Sequence, residues 1–334
     1  MPPRVSVILP VRDGGRWLGE AVDSILTQTV QPLELLVVDD HSVDGAVARL
    51  PHDDARLRML ASAGQGVSEA FNTGLTAARA PYIARMDADD IALPRRLECQ
   101  LAWLEARPEL ALCGACVEIF RDDGAPLDGG NRRYQAWLNA CREPGEIRRA
   151  LFVESPVPNP TALFRRDALH ALGGYADPPW PEDYDLFLRA DAAGLLMGKP
   201  DDVLLRWREH DASLTRTDPR YARKRFQAAK AHYLAHGRLE AGRPTVIWGA
   251  GPGGRLLHDL LREEGFAVAG FLDVHPRRQG REKRGLPVWP IERLAALDNA
   301  FVLVAVGTVG VRREIRSYLD EQGRVEGVDY LFTC

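Results

Sequence analysis

The chain is short of most features that would assign it quickly. Its five cysteines form an odd, scattered set in 334 residues, which suits a reducing cytoplasm better than a disulfide framework. Cys113 and Cys116 do have CxxC spacing in LALCGACVEIF. That segment is apolar and strand-like, and no second CxxC or histidine pair accompanies it, so core packing is expected rather than zinc or redox chemistry. No apolar run approaches the roughly 20 residues needed to span a bilayer. A leader is not expected either, since MPPRVSVILP passes straight into a strand-like run. Charge of one sign is also missing: 43 Lys and Arg face 47 Asp and Glu, a net charge of -4. That balance leaves no electrostatic footprint for nucleic acid. The local basic stretch RRQGREKRG (277–285) reads as a solvated loop.

What the chain does have is alternation. VSVILP is a continuous apolar run, LELLVVDD is again strand-like, LRMLAS is short and apolar, and YIARMD reads as a strand. Between them GRWLGEAVDSILTQ and VSEAFNTGLTAARA carry apolar residues at helical spacing, and LPRRLECQLAWLEARP reads as a helix with Pro94 in its first turn. Such alternation predicts an α/β fold with a mostly parallel sheet flanked by helices. DDGAPLDGGNRR reads as a loop, DYDLFLRADAAG and YARKRFQAAKAHYLAH as helices, and DVLLRWREH as an ordered element. The expected division is a first domain over 1–235, a linker over 236–244, and a second α/β domain over 245–334. We find no internal repeat and no low-complexity tract.

In open α/β sheets, ligands bind beyond the carboxyl ends of the strands. Asp13, Asp39, Asp40, Asp87, Asp89 and Asp90 all follow such ends. Within MDADD, residues two apart on a strand share one face, so Asp87 and Asp89 are expected side by side. Two unit charges about 6 Å apart, at an effective dielectric of about 20, repel by roughly 3 kcal/mol. A hard divalent cation offsets that repulsion, taking carboxylate oxygens together with phosphate and water.

These segments, taken in order, resemble glycosyltransferase family 2 with the GT-A fold. The resemblance runs from VSVILPVRDGGRWLGEAVDSILTQT through LELLVVDDHSVDG and YIARMDADDIALPRRLECQ to GGY…PEDYDLFLRADAAG, over roughly residues 4–215. It implies a nucleotide-sugar donor and a Mn²⁺ or Mg²⁺ cofactor. Pro10, Arg12 and Asp13 match the nucleotide-binding entry, although Arg12 and Asp13 depart from its usual Tyr-Asn. Asp39 matches the carboxylate that contacts base or ribose, Asp40 holds the loop, and His41 stands where glycine is common. Asp87 and Asp89 match the DxD that meets the donor through the cation, and His210 matches a histidine that completes the metal or donor site. Asp90 is read as a cap for the helix entered at Pro94.

Inverting transfer needs a base for the acceptor hydroxyl at an oxocarbenium-like transition state. By spacing alone Glu182 and Asp183 in PEDYD are equal candidates, or simply first-turn acids suited to a helix dipole. The resemblance assigns the role to Asp183. Asn159 reads as a loop cap, and Gly173 and Gly174 as a tight turn.

WGAGPGGRLL places Gly249, Gly251 and Gly254 in GxGxxG spacing between a strand and a helix, with Asp273 at the end of the next strand. This is a dinucleotide fingerprint in its proper context. The unit resembles small Rossmann-like domains fused to sugar-modifying enzymes, including sugar-nucleotide acyltransferases. A nucleotide or sugar nucleotide, NAD, and a purely structural role all stay open for it.

The functional expectation is a metal-dependent, inverting glycosyltransferase of glycan or polysaccharide biosynthesis. Its acceptor is a glycan, a lipid-linked glycan or a protein, and its location the cytoplasm or the inner face of the membrane, with peripheral association. Two alternatives stand beside it: a sugar-1-phosphate nucleotidyltransferase and a non-catalytic sugar-nucleotide sensor. Against the first, VRDGGR has two arginines and no lysine for a triphosphate. Against the second, the acids at 89 and 183 are intact.

Overall fold

The structure, a computed structural model, describes residues 2–51, 53–297, 299–308 and 310–334. The chain divides into two compact units, Met1–Ile147 with Pro156–Pro219 and Arg148–Ser155 with Arg220–Cys334.

The first unit holds ten strands: β1 Val5–Val11, β2 Leu33–Asp39, β3 Leu57–Ala61, β4 Tyr82–Arg85, β5 Ile91–Ala92, β6 Leu110–Cys113, β7 Cys116–Arg121, β8 Leu163–Arg165, β9 Leu196–Gly198 and β10 Val203–Glu209. Seven of them form one sheet in the order β3-β2-β1-β4-β8-β6-β9. Its pairings are parallel except those of β8, which runs antiparallel to β4 and β6. Every residue of β1 is buried, as a strand covered on both faces must be. The helix Leu18–Leu26 presents Leu18, Ala21, Val22 and Ile25 to the core, one stripe at helical spacing. Because β1, β2 and β4 are parallel and adjacent, their carboxyl ends open on one rim, with Val11 paired to Asp39. A smaller sheet, β5-β10-β7, brings Glu209 and the following His210 to the chain just past β4.

Several elements differ from the sequence reading. Strand β4 stops at Arg85, and the DADD segment is a turn in which the Asp90 amide donates to the Asp87 carbonyl at 3.4 Å. The alternation of faces along a strand therefore does not set the direction of these carboxylates. GGNRR is not loop but the first turn of the helix Gly129–Ala140, capped by Asp128, whose Oδ1 accepts from the Asn131 amide at 2.7 Å. The helix after Pro94 begins at Arg96, one turn later than the proline suggests. Cys113 lies in the apolar core, and burial pushes its thiol well above the ordinary range. Cys116 is likewise buried.

The second unit adds β11 Thr245–Trp248, β12 Gly270–Leu272, β13 Glu282–Lys283, β14 Leu286–Trp289, β15 Phe301–Val304 and β16 Tyr330–Phe332, ordered β13-β14-β12-β11-β15-β16. All pairings are parallel except the β13–β14 hairpin, which occupies part of the basic stretch read as loop. The boundary drawn from sequence at 236–244 falls inside this unit. The helix Arg223–Tyr233 packs on the helix Pro252–Glu263, and its buried Lys230 donates to the carbonyls of Val153 (2.7 Å) and Thr333 (3.3 Å). A basic helix gives little sequence sign of that attachment, because the anchor is an ammonium rather than an apolar stripe.

Candidate active site

At the end of β1, Asp13 takes a left-handed backbone (φ 52°). Its Oδ1 accepts from the amides of Val43 (2.7 Å) and Asp44 (3.2 Å). Asp39, ending β2, accepts from the Ser42 amide at 2.9 Å. Buried Asp40 accepts from the Gly66 amide at 3.0 Å and lies 3.9 Å from the exposed Arg12 guanidinium. Pro10 is buried opposite Val38. These acids stitch two loops into a rim, so Asp13 already has one oxygen occupied by its own chain.

Around the DADD turn each carboxylate has a different partner. Arg85 Nε donates to Asp87 Oδ1 at 2.9 Å, and the Arg85 guanidinium lies over the rings of Phe71 and Tyr175. Asp89 Oδ2 stands 2.8 Å from His210 Nε2, and the His210 ring packs on Trp17 with centroids 4.2 Å apart. Asp90 does not cap a helix. It is buried, and its Oδ1 accepts from the Arg208 amide at 2.8 Å. Arg208 also donates through Nε to the Asp89 carbonyl at 2.6 Å, and its guanidinium reaches Glu20 and Asp122. Beneath the turn, fully buried Arg96 donates to the Arg85 carbonyl at 2.7 Å and to Gln100 Oε1 at 3.1 Å.

The electrostatics follow from this packing. Burial, helped by the charges of Asp89 and Asp87, pushes the Asp90 carboxyl well above its ordinary range. Burial also raises Asp87, against the opposing pull of Arg85. The same burial lowers Arg96 to about 10, although Asp90 and Asp87 favour its charged form.

Glu182 and Asp183 open the helix Glu182–Ala192, with Asp185 also in its first turn. Glu182 is buried, Asp183 is part-exposed, and Asp183 Oδ1 accepts from the Tyr184 amide at 2.7 Å. Burial first, and then the Glu182 charge, raise the Asp183 carboxyl to about 7; Arg85 pulls it down and Asp87 adds to the rise. Asp183 therefore sits within the field of the Arg85–Asp87 pair, which brings together two motifs nearly a hundred residues apart. Asp185 is a helix-side anchor, accepting from Trp180 Nε1 (2.9 Å) and Arg189 Nε (2.7 Å). Asn159 meets the buried Tyr175 hydroxyl rather than capping a loop. Asn72 grips the Tyr175 backbone at both ends, at 2.7 and 3.0 Å. A Cβ on Gly174 would lie 2.4 Å from Asn72 Oδ1, so this turn needs glycine.

Asp89 and His210 form a carboxylate–imidazole pair open to a divalent cation, and both donor types suit Mn²⁺. The buried Nδ1 of His210 has no hydrogen-bond partner among the described residues. Asp87 is drawn toward Arg85. The residues present fit a cation centred on Asp89, with Asp87 beside it.

In the second unit Gly249 follows β11 with φ 112°, and Gly251 precedes the helix Pro252–Glu263. A Cβ on Gly254 would fall 1.8 Å from the Gly249 carbonyl oxygen, so helix and loop touch backbone to backbone. Asp273 is buried and fully engaged. Its Oδ2 accepts from the Ala250 amide (2.9 Å) and Arg278 (3.0 Å), and its Oδ1 from the His275 amide (2.9 Å). Burial works against the anion, yet those contacts hold the Asp273 carboxyl below its usual range. Asp273, which the sequence reading groups with the three glycines as nucleotide-binding, here holds the glycine loop through the Ala250 amide.

A mostly parallel sheet with one reversed strand, and an acidic turn beside a histidine at its carboxyl rim, define the class: a GT-A-type glycosyltransferase. Staphylococcus aureus TarS 1–349, solved in complex with UDP-GlcNAc, shares the fold with a TM-score of 0.55 at 15% identity, over 79% of this chain and 73% of that one. A model of glycosyl transferase family 2 matches residues 6–173. EpsE of Bacillus subtilis, itself assigned as a glycosyltransferase, is 30% identical over 85% of this chain and 97% of its own length. The amylovoran biosynthesis glycosyltransferase AmsE of Erwinia amylovora is 29% identical over 57% of this chain and 70% of its own. The chain belongs to glycosyl transferase family 2 and is a glycosyltransferase. A second model, the PglD N-terminal domain, matches residues 245–319. Among the described residues no helix is long and apolar enough to cross a membrane.

Proposed function

We propose that the protein is a metal-dependent, inverting glycosyltransferase that moves a sugar from a nucleotide-sugar donor to an acceptor hydroxyl during glycan or polysaccharide synthesis. The observation that carries this reading is the acidic turn at the carboxyl rim of the sheet, where Asp89 stands 2.8 Å from His210 and Asp87 is held at 2.9 Å by Arg85. Asp183 takes the acceptor hydroxyl's proton as that oxygen attacks the anomeric carbon from the face opposite the leaving diphosphate. Glu182 raises the proton affinity of this base toward neutrality. Asp89 and His210, with Asp87, hold the cation, and Pro10, Arg12, Asp13 and Asp39 border the base and ribose. When bound, Mn²⁺ or Mg²⁺ supplies charge that stabilises the departing diphosphate. Arg85, wedged between Asp87 and two aromatic rings, fixes the donor-side carboxylate. Relatives named for amylovoran and O-antigen biosynthesis support a glycan or lipid-linked glycan acceptor over a protein. The PglD N-terminal resemblance and the Gly249–Gly251–Gly254 loop support a nucleotide or sugar nucleotide in the second unit.

The test is Mn²⁺-supported donor hydrolysis across UDP-, GDP- and dTDP-sugars. One donor should turn over, Asp89→Asn should abolish the metal dependence, and Asp183→Asn should lose about 10²–10⁴ in transfer rate with donor affinity nearly unchanged. Absence of both hydrolysis and binding across the panel, or full turnover by Asp183→Asn, refutes the reading.

A further inference from the structure

A separate cluster of metal-ligating side chains lies in the second unit, and sugar transfer makes no use of it. His232 stands in the last turn of the helix Arg223–Tyr233, and His236 lies in the π turn Leu234–Arg238 that continues it. Glu264 follows directly on the helix Pro252–Glu263. His232 Nδ1 and His236 Nε2 each stand 3.0 Å from the same atom, Glu264 Oε2. The two imidazole centroids are 4.8 Å apart. All three ligand atoms lie within 4.8 Å of one another, a convergence that among the described residues the DxD and His210 do not match.

Local backbone geometry accounts for the pairing. In a regular α-helix four residues overshoot one turn by about 40°. A π turn, with its i→i+5 bonding, is wider and brings His236 back over His232. The Glu264 carboxyl then meets both rings from the neighbouring helix. Burial acts to raise that carboxyl, but the contacts from His232 and His236 hold it below the ordinary range.

We propose that His232, His236 and Glu264 bind a borderline divalent ion, Zn²⁺ foremost, which pins the helix Arg223–Tyr233 to the end of Pro252–Glu263. Two imidazoles and one carboxylate are a zinc-type donor set, unlike the oxygen-rich sets that Mg²⁺ takes. Tetrahedral bonds of about 2.0–2.2 Å place ligand atoms roughly 3.4 Å apart, a few tenths of an ångström beyond the present His–Glu spacing. His232 and His236 are 36% and 55% exposed as side chains, and small side-chain rotations make that adjustment. A water would complete the fourth position.

The full-length chain carrying Asp89→Asn, which removes the other proposed metal site, is stripped with EDTA, titrated with Zn²⁺ and dialysed. One equivalent of zinc per chain should remain, with a rise in melting temperature. Adding His232→Ala or Glu264→Gln should abolish both, and circular dichroism without metal should show each variant folded. Should either variant not fold, His236→Gln provides the same test by removing a more exposed ligand. Retention of no zinc by the Asp89→Asn chain, or equal retention by the folded ligand variants, overturns the proposal.

Discussion

Asp183→Asn should stop transfer and at the same time stabilise the ligand-free protein at pH 8. Raising the Asp183 carboxyl from 3.8 to about 7 means that the fold disfavours its ionised form by roughly 4 kcal/mol at most, at 1.36 kcal/mol per pH unit. The sign follows from proton occupancy. Between the unfolded value near 3.9 and the folded value near 7, the folded chain holds a proton that the unfolded chain has released. Stability therefore falls as pH rises through that window, and the whole penalty is present above it. Asparagine carries no charge and retains the oxygen that accepts from the Tyr184 amide. Part of the penalty is shared with Glu182, so about 1–3 kcal/mol of gain is expected at pH 8, shrinking to nearly zero by about pH 4. Urea unfolding followed by tryptophan fluorescence at pH 8, 6 and 4 measures it, with the two units fitted as separate transitions. The same carboxyl should put a bend near pH 7 in kcat/KM, which Glu182→Gln should move down by about one unit or more. An Asp183→Asn protein that is less stable at pH 8, or whose advantage does not shrink on acidification, refutes the electrostatic reasoning. So does a bend that Glu182→Gln leaves in place.

Two further perturbations test the framework behind the two sites. Arg96→Met removes a buried charge that favours the ionised forms of Asp87 and Asp90, together with its hydrogen bonds to the Arg85 carbonyl and Gln100, and should cost about 3–5 kcal/mol in urea unfolding at pH 8, with less loss at pH 5 as the acids protonate; equal stability refutes a compensating role. Gly254→Ala forces a methyl against the Gly249 carbonyl oxygen and should cost at least about 1–3 kcal/mol, read in the second unit's transition with the first unit's unchanged.

Where the fold was legible, one kind of signal carried it. The runs at β1 and β2 are apolar apart from Ser6, Glu34 and the terminal Asp39, and the helix Leu18–Leu26 repeats at helical spacing, so both announce what they bury. The rim acids were legible because they follow those runs. What stayed hidden was chemistry without a pattern. Arg85 looks like a polar interruption in an apolar strand, yet it is buried and holds Asp87. Arg96 lies in a helix face that reads as charged, and Arg208 is more than a hundred residues from the turn it ties down. A faint signal was present only for Arg85, which ends the run Tyr82-Ile83-Ala84, whereas Arg96 follows Arg95 and Arg208 lies between Trp207 and Glu209.

Those three cations also decide among the acids of the turn. Sequence treats Asp87 and Asp89 as an equivalent pair, but their surroundings are unequal. Asp87 has the Arg85 guanidinium at 2.9 Å, and buried Asp90 accepts from the Arg208 backbone amide and lies in the field of Arg96. A fixed positive charge already answers each of them. Asp89 meets instead an imidazole, which carries charge only when protonated. Of the three carboxylates it is the one whose charge the protein leaves for something else to balance. A divalent cation gains most where no arginine competes for the same oxygens, since like charges a few ångströms apart repel by several kcal/mol at an effective dielectric of about 20. That asymmetry supports Asp89, with His210, as the centre of the proposed metal site and Asp87 as its neighbour.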